Sequence, residues 1–260
     1  MKVYFGADGE GISALHEANV KYILLSFYHH EKLTEAQQQS LMQYKNIMID
    51  SGLFTYMWGA EAGTDITVDF CNIMQKNYIE YLKKYFTAND IAVEMDVQKK
   101  LGSEVAWELR RKLKRELKNQ WGGSLINVYH LEDGNPDALI NEADYIAISQ
   151  PELRRALSKK ERIQITSYIA SRAMAKGKRV HLLGLTETWF MKLFRHCTSC
   201  DSTSWQSHFR WGGEVAQEWK ILKDTVKGQP LKYRTRPLTD RYWAGVFFLE
   251  EYKRYAGDQS

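Results

Sequence analysis

Short runs of β-branched and aromatic residues recur along the chain and alternate with stretches of helical periodicity. Some runs, such as IAVEM and YIAIS, are apolar at consecutive positions, which is typical of parallel strands covered on both faces. Eight runs fit this description: 3–7, 22–28, 46–50, 91–96, 125–130, 145–149, 179–185 and 200–205. Eight buried strands joined by crossover helices predict an α/β fold, a single (β/α)8 barrel of the TIM type.

The stretches between these runs carry helix signals. Apolar residues recur every fourth position from 105 to 117, and Ser158 with Glu161 forms a capping-box sequence that opens a helix ending at Gly177. Helix-like stretches at 213–225 and 239–255 follow the last strand, separated by a Gly-Gln-Pro break. They predict the closing helix of the barrel and a short C-terminal helical extension over 226–260. Without internal repeats or a linker rich in Gly, Ser and Pro, residues 1–260 form one predicted domain.

Composition narrows the class of protein. The chain has 260 residues, 44% of them hydrophobic and 26% charged, which excludes a disordered or low-complexity chain. No apolar run reaches the roughly 18 residues that a membrane helix needs, and the N-terminus lacks a signal-peptide core. We therefore expect a cytoplasmic protein with no membrane partner. The net charge of +4 permits a polyanionic partner without requiring one.

Three aspartates follow or end predicted strands, where the active site of such a barrel lies. Asp50 ends NIMID, Asp96 ends IAVEMD, and Asp201 lies in CDSTSW. Any one of them could instead cap the next helix or turn. Three carboxylates that converge in a partly dry pocket push their pKa values apart, so that one is ionised while another holds a proton.

Four segments carry a resemblance to a known family. IDSGLFTYM at 49–57 resembles the DSGGF/Y segment of the tRNA-guanine transglycosylases, and VEMD at 93–96 is similar to the strand that bears their base-recognising Asp. VHLLGLTE at 180–187 resembles their YLMGVG segment, and CDSTSW at 200–205 occupies the place of their nucleophilic Asp. Order and strand placement match over roughly 46–205.

Two departures refine the resemblance. Leu53 replaces the second Gly of the DSGG segment, and the zinc-binding CxCxxC insertion is missing. The chain therefore looks more like the DpdA-type DNA-guanine transglycosylases of bacteria and phages. That branch implies exchange of guanine in DNA for a free 7-deazaguanine, in a bacterial or phage-infected cell, with no metal or other cofactor. Action on tRNA is the alternative within the fold, and a catalytically inert barrel that binds nucleic acid is the alternative from another class.

The resemblance implies roles for particular residues. Asp201 would be the nucleophile and Asp50 the general acid/base. Asp96 would recognise the base, and Phe54 would stack on it. The remaining residues of the implied base site are Ser51, Gly52, Leu183 and Gly184, with either Tyr129 or His130 as a further contact; the sequence leaves that choice open.

Two other groups of residues have competing interpretations. Cys197 and Cys200 have metal-ligand spacing, but Cys200 lies within a predicted strand, so ordinary buried thiols are favoured. The basic run 108–118 is interpreted as a solvated helix face. Basic residues interleaved with aromatic ones after the last strand suit a clamp on a nucleic-acid backbone. The residues predicted to bind nucleic acid are Arg210, Lys232, Arg234 and Arg236.

Overall fold

The computed structural model describes residues 1–7, 12, 15–16, 20–30, 34–44, 46–59, 61–185 and 187–203, without the side chain of His30. The C-terminal extension at 226–260 and the four basic residues predicted to bind nucleic acid lie outside the described residues.

Eight parallel strands close into a barrel in which each strand pairs with its neighbours in the chain and β8 pairs with β1. The (β/α)8 prediction is confirmed. The strands are β1 (Lys2–Ala7), β2 (Tyr22–Ser26), β3 (Asn46–Asp50), β4 (Ile91–Val93), β5 (Ser124–Tyr129), β6 (Tyr145–Ser149), β7 (Arg179–Leu183) and β8 (Ser199–Ser202).

From β2 onward, helices connect successive strands. In chain order they are α1 (Phe27–His30), α2 (Glu35–Leu41), α3 (Leu53–Trp58), α4 (Val68–Tyr85), α5 (Gln98–Gln120), α6 (Asp137–Glu142), α7 (Gln150–Ala156), α8 (Lys159–Ala175) and α9 (Thr188–Leu193), with a 3-10 turn at Leu131–Asp133. The capping box at Ser158 and Glu161 is formed and begins α8. Among the described helices, none is both long and apolar enough to cross a membrane.

Two buried layers hold the fold together. A large layer lies between the strands and the helices and includes Leu109, Leu113 and Leu117 of α5. A smaller layer fills the barrel interior: Tyr4, Met48, Ile91, Val93, Ile126, Val128, Tyr145 and Ala147. Because side chains alternate between these two layers, both faces of each strand are apolar, which explains the continuous apolar runs of the sequence.

Four strands are shorter than the sequence predicts; one of them is β8, which ends at Ser202 and not at residue 205. β2 stops at Ser26 because α1 begins at Phe27, whose buried ring packs against aromatic residues of α4. β4 stops at Val93, and the next residue, Glu94, forms a buried ion pair with Arg110 of α5. β7 stops at Leu183 because Gly184 takes a left-handed conformation, with φ 64°.

The sequence predicted that the basic run 108–118 is a solvated helix face. The structure shows that this is only partly correct. Arg110 is buried and donates to both Glu94 carboxylate oxygens, at 2.7 and 2.8 Å, and to the Val128 carbonyl at 3.1 Å. Arg111 remains exposed and pairs with Glu142. The helix therefore directs one of its arginines inward, where it ties α5 to the ends of β4 and β5.

Candidate active site at the carboxyl ends of the strands

The three strand-end aspartates lie at the same end of the barrel. Asp50 is the last residue of β3, Asp201 lies in β8, and Asp96 follows β4. The negative charges of Asp96 and Asp201 both raise the pKa of Asp50, so the three carboxyl groups are close enough to interact. The predicted convergence of these residues is present in the structure.

Asp50 has a strongly raised pKa. Burial, followed by repulsion from Asp96, raises its pKa to about 7, against the lowering effect of a hydrogen bond from the Gly52 backbone. That N–H donates to Asp50 Oδ2 at 3.0 Å. A carboxyl group with this pKa can both donate and accept a proton at neutral pH.

Asp201 is buried and held at one oxygen. Its Oδ1 accepts hydrogen bonds from the Gly184 backbone N–H at 2.6 Å and from Nε2 of His181 at 2.9 Å. Within the described part of the chain, its Oδ2 has no hydrogen-bond partner. One oxygen is therefore fixed while the other is free to act on a ligand.

His130 lies between two carboxylates at the edge of the site. Its Nδ1 is 2.5 Å from Glu152 Oε2, and its Nε2 is 3.4 Å from Asp96 Oδ2. Burial opposes the charge on His130, but the attraction of the Asp96 and Glu152 carboxylates outweighs it and raises the pKa of His130 to about 10. The contact with Asp96 is an ion pair without hydrogen-bond geometry, so the buried Nε2–H has no hydrogen-bond acceptor among the residues that the structure describes.

The β3–α3 turn places the remaining residues of the DSG segment. Gly52 has φ 78°, and a Cβ there would lie 2.9 Å from the Tyr28 backbone nitrogen. Ser51 is buried, and its hydroxyl accepts from the Leu53 backbone N–H at 3.4 Å. Phe54, in the first turn of α3, is 59% exposed. The exposed ring of Phe54 therefore lies four residues after Asp50, at the start of the next helix.

The structure separates the two candidates at the end of β5. Tyr129 belongs to the layer between strands and helices, and its hydroxyl donates to the Gly134 carbonyl at 2.9 Å. His130 faces Asp96 instead. Leu183 packs against the barrel interior, directly below Gly184. The structure thus places His130, and not Tyr129, against an aspartate.

Two groups of possible metal ligands fit a metal poorly. Cys197 and Cys200 are buried, and burial raises the pKa of Cys197 to about 12, so a thiolate is disfavoured at neutral pH. Ligand atoms of His130, Glu132 and Glu152 lie within 4.8 Å of one another. In that group the imidazole is protonated, and the Lys99 ammonium already lies 3.5 Å from Glu152 and 3.9 Å from Glu132.

Sequence reasoning missed three polar residues of the site. His181 contacts Asp201, Ser199 contacts His181, and Glu152 contacts His130. For two of them a signal was present: residues 179, 181 and 183 of β7 alternate toward the interior, as do 199 and 201 of β8, and a polar residue at an interior position needs a partner. Glu152 lies in the first turn of α7 and carries no such signal.

Comparison with known proteins gives a distant structural likeness. No protein-family model matches the chain, and no curated protein matches it. Among solved structures, the chain is similar to the glycoside hydrolase domain of PelA from Pseudomonas aeruginosa, with 12% sequence identity and a TM-score of 0.46. The match covers 77% of this chain and 94% of that one.

Proposed function

We propose that the protein is a base-exchange glycosyltransferase that replaces guanine in DNA with a free 7-deazaguanine through a covalent bond between Asp201 and the deoxyribose. The observation that supports this proposal is that two carboxyl groups with different properties lie at the same end of the barrel. Asp201 has one oxygen held and the other unpartnered among the described residues, and Asp50, close by, has a pKa of about 7. A retaining glycosyl transfer needs such a nucleophile and such an acid/base.

The first half of the reaction removes guanine. Oδ2 of Asp201 attacks C1′ of the deoxyribose, and the C1′–N9 bond breaks with its electron pair moving to the purine. Asp50, in its protonated form, donates its proton to the departing base. The products are a deoxyribosyl ester of Asp201, neutral guanine and an ionised Asp50.

The second half inserts the new base. Asp50 accepts the proton from N9 of the incoming 7-deazaguanine, and that nitrogen attacks C1′. The ester bond to Asp201 breaks, and its carboxylate is restored. Two inversions at C1′ return the original configuration, and protons balance without a cofactor because Asp50 gives one and takes one back.

Asp96 and His130 together suit the hydrogen-bonding edge of guanine. Asp96 would accept from N1–H and the 2-amino group, and the unused Nε2–H of His130 would donate to O6. Adenine reverses this pattern and would leave both partners unpaired. A 7-deazaguanine keeps the same edge as guanine, so the same pair would accept both substrates. Phe54 would offer a stacking surface.

The choice of DNA over tRNA rests on the sequence resemblance, in particular on the missing CxCxxC insertion. A guanine within duplex DNA would have to be flipped out of the stack before Asp201 could reach C1′. We therefore expect single-stranded or mismatched guanine to react faster than guanine in a stable duplex.

The test is release of labelled guanine from an oligonucleotide. Wild-type protein is incubated with DNA or tRNA containing radiolabelled guanine, with and without free 7-deazaguanines, and covalent adducts are sought on denaturing gels. We expect release from DNA, together with an adduct that Asp201→Asn abolishes. The matched control is Asp144→Asn, since Asp144 is exposed, pairs with Lys178 and lies just before the amino-terminal end of β6, at the end of the barrel opposite the three aspartates.

Each alternative has its own outcome. Release from tRNA but not from DNA would make the protein a tRNA enzyme with the same residues. DNA binding without release by the wild type would indicate the inert barrel. An adduct that survives Asp201→Asn would place the nucleophile elsewhere.

A further inference from the structure

A chain of buried polar side chains runs from Asp201 into the barrel. Nε2 of His181 lies 2.9 Å from Asp201 Oδ1, and Nδ1 of the same ring lies 2.6 Å from Oγ of Ser199. That hydroxyl lies 2.5 Å from the hydroxyl of Tyr145. All four residues are buried, and both nitrogens of the imidazole are used. These hydrogen bonds therefore link the carboxylate of Asp201 to the interior layer of the barrel through one histidine.

Packing holds the imidazole of His181 in place. The rings of Tyr4 and Tyr145 each meet it edge to face, with 6.3 Å between ring centroids in both cases. His181 itself has no exposed surface. The ring cannot turn its nitrogens to other partners without disturbing two tyrosines of the interior layer.

The hydrogen bonds have one consistent direction. The carboxylate of Asp201 can only accept, so the 2.9 Å contact requires a proton on Nε2 of His181. Burial raises the pKa of Tyr145 to about 12, so its hydroxyl keeps a proton that it can donate to Ser199. Ser199 can then donate its own proton to Nδ1 of His181. With Nδ1 accepting, the single ring proton lies on Nε2, where it is donated to Asp201.

We propose that His181 is a positioning residue that acts through Asp201, with Ser199 and Tyr145 selecting its Nε2–H tautomer. Together with the Gly184 backbone N–H, it fixes Oδ1 and directs Oδ2 toward the open end of the barrel. The role in turnover rests on the proposed function, in which Asp201 forms the covalent bond. The hydrogen-bond arrangement itself does not depend on that function.

The arrangement favours breakdown of the covalent intermediate. In the ester, Oδ2 is bonded to C1′ and Oδ1 is the carbonyl oxygen, which still accepts from His181 and Gly184. When the C1′–Oδ2 bond breaks, its electron pair returns to the carboxylate, and the two donors stabilise the developing charge. Loss of the His181 donor should therefore slow the breaking of the C1′–Oδ2 ester bond more than it slows the attack of Asp201 on C1′.

Nitrogen NMR of the histidine rings tests the arrangement without any substrate. The protein has 7 histidines, and the His181 signals are assigned by their absence in His181→Gln. We expect Nδ1 to be unprotonated and Nε2 protonated in the wild type, and this pattern to be lost in Ser199→Ala. A wild-type Nδ1–H form, or a pattern unchanged in Ser199→Ala, would overturn the proposal.

Turnover and adduct trapping test the positioning role. His181→Met removes the donor to Asp201, whereas His181→Gln keeps an N–H near the position of Nε2. We expect base exchange to fall roughly 10- to 100-fold in His181→Met, the range for one hydrogen bond to a charged group, with the trapped adduct undiminished. His181→Gln should restore most of the rate.

Val180→Ala is the control for damage to the strand. Val180 is the neighbouring residue of β7 and faces the helices, so its truncation should lower thermal stability without changing the ratio of adduct to product. Equal rates for His181→Met and wild type would overturn the positioning role. The role would also be overturned if His181→Gln exchanged base as slowly as His181→Met while both variants unfolded at the same temperature. If the wild type exchanges no base, the proposed function fails, and the NMR result alone decides whether the hydrogen-bond chain exists.

Discussion

Asp50 makes the stability of the protein depend on pH in a way that Asp50→Asn should remove. Burial and the neighbouring carboxylates raise the pKa of Asp50 from its ordinary value of 3.8 to about 7. Between pH 3.8 and pH 7, Asp50 is therefore protonated in the folded protein and ionised in the unfolded chain. The contribution of Asp50 to the free energy of unfolding is therefore fully present below pH 3.8, falls as the pH rises toward 7, and is lost above pH 7.

The size of the effect follows from the same two values. Titration from pH 5 to pH 8 with these pKa values costs the folded state about 2.6 kcal/mol. Asp50 is partly accessible at the mouth of the barrel, and solvent there weakens the interaction of charges, so we expect about 2 kcal/mol. Asparagine cannot ionise, so Asp50→Asn should gain that amount relative to wild type between pH 5 and pH 8.

Urea unfolding, followed by tryptophan fluorescence at pH 5 and pH 8, measures this difference. The control is Asp144→Asn, because the hydrogen bond from Lys178 lowers the pKa of Asp144 and keeps it ionised at both pH values. That variant should differ from wild type by the same amount at pH 5 and at pH 8. If Asp50→Asn also shows no pH-dependent gain, Asp50 is ionised throughout this range and cannot be the acid/base proposed here.

Three further predictions concern stability and metal content. Arg110→Met should destabilise the fold by about 3–5 kcal/mol in urea unfolding, because it leaves Glu94 buried without its partner; a loss under 1 kcal/mol would contradict this. Gly52→Ala should lower the melting temperature and reduce activity together, since its Cβ would collide with the end of β2 and shift the Asp50 turn; wild-type behaviour in both assays would show that the turn relaxes. Elemental analysis should find no stoichiometric zinc, because burial keeps the Cys197 and Cys200 thiols protonated; zinc that disappears in Cys197→Ser would refute this.

The fold could be predicted from the sequence because its signals are local and repeated. Consecutive apolar residues in runs such as YIAIS mark strands buried on both faces, and a helix signal after each run requires a crossover to a parallel neighbour. That topology also brings the carboxyl ends of the strands together, so the sequence alone places Asp50, Asp96 and Asp201 on one face. Each of these inferences needs only the alternation of elements and the direction of the strands.

The partners of those aspartates were decided by the tertiary structure. The choice between Tyr129 and His130 depends on which face of β5 each side chain occupies at the end of the strand, and a shift of one residue reverses it. The pairing of His130 with Glu152, 22 positions away, depends on how α7 begins after the neighbouring strand β6. His181 meets Asp201 only because β7 and β8 are neighbours in a closed barrel with a particular register. The sequence thus determined which carboxyl groups gather at the site, while packing between distant segments determined which of them holds a proton and which is held as an acceptor.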